Sequence, residues 1–186
     1  ILRQTDRISR IVDSLVNFSH VGSGVGDVHL EPCNLADCVD EAIHLLQLDH
    51  QARPLHFENH CDRELLVHAD AQRLLQVFVN LLGNARDASP ANARVTVSAS
   101  VQQQRVSIEV EDQGSGIPPA LQTQVFEPFF TTKEPGEGTG LGLALVYSIM
   151  DDMQGSVHIQ SPVGPAEQPG TRFTLQLPRG HYLTGP

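Results

Sequence analysis

The sequence has little that would tie it to a membrane or to a polyanion. Among its 186 residues, no apolar run approaches the roughly 20 needed to span a bilayer. The opening stretch ILRQTDRISR is charged and lacks the apolar centre of a signal peptide. It also lacks a starting Met, so we expect a piece of a longer chain, cytoplasmic itself, with any membrane anchor carried by other parts. Basic residues are scarce: 12 Lys and Arg stand against 22 Asp and Glu, for a formal net charge of −10. That balance excludes a nucleic-acid surface, because phosphate backbones require stripes of Lys and Arg. It still permits a small anionic ligand whose charge is offset by a divalent cation or by backbone N–H groups. The three cysteines, Cys33, Cys38 and Cys61, are odd in number and match no zinc or redox spacing. Reduced thiols in a cytosolic compartment are their simplest reading. The nine histidines are scattered singly, which favours surface or core roles over metal ligation. No internal repeat is present.

What the sequence does contain is a regular alternation of elements. Residues 1–20 read as a helix, with Ile1, Ile8 and Leu15 at one heptad position and Ile11 and Phe18 at another. Gln4 interrupts this seam, and Val12 and Val16 widen it, as expected of a helix in a four-helix bundle. The run VGSGVGD (21–27) reads as a hinge. A short strand is expected near Val28–Glu31, then a helix capped by Asn34 and running to about Gln47. PLHFENHC and LLVHA alternate as strands. Asp70 is placed to cap a long helix to about Ala88, with Leu74, Leu75, Phe78, Leu81 and Leu82 on its apolar face. RVTVSASV and RVSIEVED flank Gln102–Gln104 with period-two alternation, which predicts an antiparallel hairpin. A helix near Leu141–Asp152 and strands near Ser156–Gln160 and Thr171–Leu177 complete the chain, with SPVGPAEQPG as a loop. The expected class is α/β, a two-layer sandwich of a mixed sheet covered by helices on one face. The expected division is a helix and hinge over 1–27, one domain over 28–180 and a tail over 181–186.

Three segments carry the chemistry. In QVFVNLLGNARDAS (76–89), Asn80 and Asn84 are four apart, so both amides project from one helix face, and an amide oxygen suits a hard cation such as Mg²⁺. In VEDQGSGI (110–117), Asp112 ends a strand and is followed by a Gly-x-Gly turn. Such a carboxylate can accept from an exocyclic amine while Gly114 and Gly116 let the backbone approach a flat ring. In FEPFFTTKEPGEGTGLGLALVYSIM (126–150), Gly136, Gly138, Gly140 and Gly142 precede an apolar run. Glycine within a helix costs roughly 0.5–1 kcal/mol relative to Ala. Ahead of a helix it lets backbone N–H groups close on an anion. Taken singly, the first two segments read better as two polar surface positions and an Asp–Gly turn, and the third equally well as a flexible loop.

Their order is far more specific than any one of them. Together they closely resemble the N box, two glycine boxes and F box of the ATP-binding catalytic domain of bacterial sensor histidine kinases, which has the Bergerat ATP-binding fold. The resemblance covers nearly all of residues 28–178, and GTRFTLQLP (170–178) is similar to the family's closing strand. FFTTK with GTGLGL resembles the NtrB-type branch, and ILRQTDRISRIV resembles the CbrA type. RISRIVDSLVNFSH is similar to the second helix of the family's dimerisation and phosphoacceptor hairpin. The family's acceptor histidine lies on the first helix, in an H-E motif that this sequence does not contain; His20 is at the far end of the second.

The resemblance implies ATP and Mg²⁺ as cofactors, a response regulator as partner and a homodimer formed through the hairpin helices. It implies Asn84 as the main Mg²⁺ ligand, with Asn80 supporting the metal or the phosphates and acting in catalysis. Asp87 joins this nucleotide-binding set. Asp112 would bind the adenine amine, in a pocket shaped by Gly114, Gly116 and Ile117. Phe126, Phe129 and Phe130 would form the F box beneath a lid over Thr131–Gly136 that includes Thr132. Lys133 would reach a phosphate and assist catalysis. Gly138, Thr139, Gly140, Leu141 and Gly142 would hold the phosphates at a helix N-terminus.

One position separates activities within the wider superfamily. The Hsp90, MutL and gyrase types of ATPase and the serine-directed kinases of this fold place Glu four residues before the metal Asn, as general base. Water and serine hydroxyls are poor nucleophiles and benefit from such a base. Here the position is Asn80, which cannot take a proton, whereas a neutral imidazole already presents a lone pair. The expectation is transfer of the ATP γ-phosphoryl group to a histidine, then to a regulator Asp. The alternatives are an ATP-hydrolysing domain of the same fold and a nucleotide-binding scaffold without turnover.

Overall fold

The structure, a computed structural model, describes residues 27–50, 52–133 and 140–181. The helix expected over 1–20, most of its hinge, Gly136, Gly138 and Thr139 lie outside the described residues. Seven strands and three α-helices follow in the order β1 (Glu31–Asn34), α1 (Leu35–Gln47), β2 (His56–Asn59), β3 (Leu66–Ala69), α2 (Ala71–Ala88), β4 (Arg94–Gln102), β5 (Arg105–Asp112), α3 (Gly142–Asp152), β6 (Ser156–Gln160) and β7 (Thr171–Pro178). A 3-10 turn at Pro119–Leu121 sits between β5 and α3.

Five strands form one mixed sheet in the order β2-β4-β5-β7-β6. Only the β2–β4 pair is parallel. Helices α1, α2 and α3 cover one face, so the two-layer α/β sandwich read from the sequence is the architecture observed. The first strand differs from its expected place: it covers Glu31–Asn34 rather than Val28–Glu31, and it pairs with β3 in a separate two-stranded ribbon. The reason lies at Cys33, which is buried and whose thiol donates to the Ala69 carbonyl across that ribbon at 3.1 Å. Pairing therefore runs up to Asn34, which then caps α1 by accepting from the Asp37 N–H at 2.9 Å.

The long helix α2 is capped as its sequence indicates, with Asp70 Oδ1 accepting from the Arg73 N–H at 3.3 Å. Its buried stripe is Leu74, Val77, Phe78, Leu81, Leu82 and Ala85. Leu75, expected in that stripe, is only half-buried, because the 3.6-residue period centres the face on 74, 78, 81 and 85 and Val77 takes the flank. The β4–β5 hairpin closes on the pair Gln102–Arg105, with Gln103 in the left-handed region at φ +57°.

Strand alternation aims the site. On β5, Val106, Ile108, Val110 and Asp112 point to the helix-covered face. On β7, Thr171, Phe173, Leu175 and Leu177 do the same, with Asp112 directly opposite Thr171. A carboxylate thus ends a row that is otherwise apolar. The opposite face carries Glu109, Glu111 and Arg172, with Arg172 Nη2 at 2.7 Å from Glu111 Oε2.

Candidate nucleotide-binding site

Asp112 is the most constrained acid of the described residues. It is 7% exposed, at the last position of β5. Its Oδ1 accepts from the Gly114 N–H at 2.9 Å and from the Thr171 N–H at 3.2 Å. Burial pushes its carboxyl above the ordinary carboxylate range; the two N–H donors work against that shift and the neighbouring Glu111 adds to it. Both of its hydrogen bonds to the chain fall on Oδ1, which leaves Oδ2 to receive a donor from a ligand.

The glycines after Asp112 answer to the packing of the chain. A Cβ on Gly114 would lie 2.7 Å from the Ala88 carbonyl oxygen, where the loop crosses the C-terminal end of α2, and the Ser115 N–H donates to that same oxygen at 3.2 Å. Ile117, half-buried, hands its N–H to Ser161 Oγ at 2.8 Å. The sequence placed Gly114, Gly116 and Ile117 around a ring pocket; the structure shows a loop held from behind by α2 and by the β6–β7 connection.

At the other end, α2 meets the N-terminus of α3. Asn80 lies on the face of α2 turned to α3: a Cβ on Gly142 would come within 3.7 Å of Asn80 Oδ1. Asn80 Nδ2 is buried and has no hydrogen-bond partner within the described residues. Leaving such a group unpaired costs on the order of 1–3 kcal/mol, so its retention marks a place where a ligand can pay it back. Asn84 follows one turn along the same face, half-buried. Helix α3 begins at Gly142 with no capping side chain and no acidic residue in its first turn. Its first N–H groups thus suit an anion. Just before it, Gly140 has φ +69°, and a Cβ there would lie 2.3 Å from the Phe129 carbonyl carbon. Only glycine fits between Phe129 and the start of α3.

The F box divides. Phe126 packs its ring against Phe173 of β7 and Tyr147 of α3, at centroid separations of 6.3 and 6.1 Å. It is half-buried and packs against the core. Phe130 is half-buried, while Phe129 is 67% exposed and has φ +67°, an uncommon conformation for a bulky residue. Thr132 is exposed, and Lys133 Nζ sits 2.5 Å from Asp87 Oδ2 near the end of α2. Lys133 and Asp87, two residues taken separately from the sequence as nucleotide contacts, are brought together as an ion pair. Leu141 is buried at the turn into α3.

The residues present fit Mg²⁺–ATP. Asp112 offers a carboxylate oxygen that suits an amine. Asn80 offers an amide donor without a partner among the described residues, and the start of α3 has no side-chain cap, which suit phosphate oxygens. Two neutral amides, Asn80 and Asn84, suit a cation whose charge the phosphates themselves would balance. No group of three or more His, Cys, Asp or Glu able to hold a metal alone occurs among the described residues.

Residues 69–181, more than half of the chain, match the family model described as histidine kinase-, DNA gyrase B- and HSP90-like ATPase. The chain belongs to that family. Among curated relatives, the sensor kinase CckA of Brucella abortus is 41% identical over 61% of this chain and 13% of its own length. The sensor histidine kinase ZraS of Salmonella typhi is 34% identical over 95% of this chain and 36% of its own. The chain thus spans about a third or less of the length of these relatives, and neither carries a name of the NtrB or CbrA type. Among solved structures, the mycobacterial sensor histidine kinase MprB superposes with a TM-score of 0.73 at 28% identity, covering 83% of this chain and 100% of that one. Full-length ShkA in complex with AMPPNP gives a TM-score of 0.80 at 25% identity over 95% of this chain and 37% of that one. The histidine kinase ThkA in complex with the response regulator TrrA gives 0.73 at 25% identity over 95% and 48%. The fold and the histidine kinase kinship read from the sequence hold.

The residues that sequence reasoning missed are Thr171, Ser161 and Gln122, which surround the Asp112 loop. Thr171 had a signal: it opens a strand whose alternation aims it inward beside Asp112. Ser161 and Gln122 lie in loop segments without periodicity and had none.

Proposed function

We propose that this chain is the ATP-binding catalytic part of a two-component sensor histidine kinase, giving the γ-phosphoryl group of Mg²⁺–ATP to a histidine that passes it to an Asp of a response regulator. The observation that carries this reading is a pair of polar atoms without a hydrogen-bond partner among the described residues, one on Asp112 and one on Asn80. Asp112 turns Oδ2 away from its two backbone donors, and Asn80 Nδ2 is buried without a partner beside the start of α3. The first suits the adenine amine and the second a phosphate oxygen. Mg²⁺, held through Asn84 with Asn80 beside it, would neutralise charge on the triphosphate. Gly140, Leu141 and Gly142 would bring the first N–H groups of α3 to the phosphates. AMPPNP bound to ShkA supports the nucleotide, and TrrA bound to ThkA supports the regulator partner.

Histidine rather than water is the acceptor in this reading because the position four residues before Asn84 is an amide. Asn80 orients and donates; it has no basicity with which to activate water. What remains is positioning and electrostatics, which suit phosphoryl transfer to an imidazole. In the parent, residues 1–27 would complete the dimerisation hairpin and join two copies.

The test is direct. Calorimetric titration should show Mg²⁺-dependent ATP binding. Radiolabelled ATP should leave the chain itself unlabelled, since no His-Glu pair occurs in it. It should give acid-labile label on a separately supplied hairpin that bears the acceptor histidine. Rapid steady-state hydrolysis without acceptor would overturn the assignment in favour of an ATPase.

A further inference from the structure

Two loops meet at Asp112 and hydrogen-bond to it through backbone N–H groups. One is the turn from Gly114 to Ile117 after β5. The other is the connection from β6 to β7, which ends at Gly170. Each supplies or adjoins one N–H on Asp112 Oδ1, from Gly114 at 2.9 Å and from Thr171 at 3.2 Å. The geometry of the carboxylate therefore depends on the two loops holding a fixed relation to each other.

Ser161 fixes that relation. The residue is 8% exposed, and its hydroxyl uses its full capacity. It donates to the Gly170 carbonyl at 2.7 Å, accepts from the Ile117 N–H at 2.8 Å and accepts from the Thr171 hydroxyl at 3.3 Å. Gln122, just past the 3-10 turn and half-exposed, adds the second tie. Its Nε2 donates to the Ile117 carbonyl at 2.9 Å and to the Ser161 carbonyl at 2.7 Å. The approach is close enough that Gly116, at φ +74°, has room for no side chain: a Cβ would lie 3.0 Å from Ser161 Oγ. One hydroxyl and one amide thus bind four segments into a single frame behind the carboxylate.

We propose that Ser161 and Gln122 are positioning residues for base selection, holding Oδ2 of Asp112 in the one orientation that favours an amine over a carbonyl at the purine 6-position. The proposal rests on the adenine assignment made above. A carboxylate discriminates only if it cannot turn away: a 6-amine donates to it, while a 6-carbonyl presents a lone pair to it. With the frame intact, rotation sacrifices both N–H bonds on Oδ1. With the frame loosened, the Gly114 and Thr171 donors can move with the carboxylate, and the repulsion toward a carbonyl is relieved.

The probes are ATP and inosine triphosphate, which differ in having an amine or a carbonyl at the 6-position. Calorimetry gives the Kd of each for the wild-type chain, Ser161→Ala and Gln122→Ala. The wild-type chain should prefer ATP. Both variants should lower the preference ratio, each by roughly three- to tenfold if one net hydrogen bond of restraint is lost. Most of the change should be a gain in affinity for inosine triphosphate, whose carbonyl no longer meets a fixed carboxylate. A residue that merely supports the fold would weaken both nucleotides in parallel, so an unchanged ratio in Gln122→Ala overturns the proposal. Gln122 is half-exposed, so this variant carries the test even if Ser161→Ala fails to fold. Absence of any ATP preference in the wild-type chain would instead overturn the adenine assignment itself, and this proposal with it.

Discussion

The surroundings of Asp112 and of Asn80 are built on opposite principles. Around Asp112 the groups that hold the carboxylate are already satisfied: Gly114, Ile117, Ser161, Gly170 and Thr171 give their hydrogen bonds to one another or to the carboxylate. Around Asn80 a donor is left open: Asn80 Nδ2 has no partner among the described residues, and no side chain caps the start of α3. The contrast matches the chemistry of the proposed ligand. A neutral base is distinguished by one donor, so the acceptor must be rigid. A triphosphate with its cation brings strong charge, and donors that stay unpaired until it arrives are not in competition with internal bonds.

The strongest way to break this contrast is Asp112→Asn. The two backbone N–H donors require an oxygen at the Oδ1 position, so the new NH₂ is forced to the Oδ2 position, facing the base. A donor then meets the adenine amine, while a 6-carbonyl is welcomed. ATP affinity should fall about 10- to 150-fold, the range for losing a hydrogen bond to a charged group, and the preference should shift toward inosine triphosphate. Calorimetry with both nucleotides reads it. Unchanged ATP affinity would remove Asp112 from base recognition.

Beside Asn80, Asn84→Ala should act through the metal. The expected loss is on the order of tenfold in ATP affinity with Mg²⁺ present, and little in its absence, since one neutral oxygen ligand is removed. A loss equal with and without Mg²⁺ would mean that Asn84 supports the helix rather than the cation. Titrations in magnesium and in a chelator distinguish the two.

A pH series sharpens the comparison further by contrasting Asp112 with Asp40. Asp112 is raised above the ordinary carboxylate range, chiefly by burial. ATP binding uses the charged form, so affinity should fall as pH drops through that raised value, and this component should vanish in Asp112→Asn. For stability the sign is opposite. The native state holds this proton more tightly than the unfolded chain, so the Asp112 contribution declines as pH rises from the unfolded to the folded value. Asp40 is lowered, chiefly by its hydrogen bond from Arg63 and further by Asn59, whose Nδ2 donates to it at 2.8 Å. Its contribution is present above the unfolded value and is lost as pH falls through the folded one. Melting curves of Asp112→Asn and Asp40→Asn across the acid range should therefore depart from the wild type in opposite directions.

The parts of the molecule with regular alternation were legible before the structure. The caps at Asn34 and Asp70, the period-two rows of β5 and β7 and the 3.6-residue stripe of α2 each follow from local chemistry. The first strand was displaced because its partner, β3, is a long-range choice that no local pattern encodes. Within the site, the residues on regular elements fell where expected: Asn80 and Asn84 on one face of α2, Asp112 at a strand end. The frame of Ser161 and Gln122 was invisible because loop hydrogen bonds between segments tens of residues apart leave no periodic trace.

Lys133 carries the smallest effect. A lysine in a loop beside several glycines reads as a phosphate contact, and in the structure it pairs with Asp87 at 2.5 Å. Both side chains are partly open to solvent, and exposed pairs are typically worth about 0.2–1 kcal/mol. If Lys133 serves the pair, Lys133→Ala and Asp87→Ala should each lower stability slightly. The double variant should be no worse than either one, and ATP affinity should stay nearly constant. If nucleotide draws Lys133 from Asp87 to a phosphate, the outcome reverses in a recognisable way. Lys133→Ala then weakens ATP a few-fold, whereas Asp87→Ala strengthens it, because the lysine no longer has to leave a partner. A double-mutant cycle on ATP affinity, run beside one on melting temperature, separates a structural tie from a phosphate ligand held in reserve.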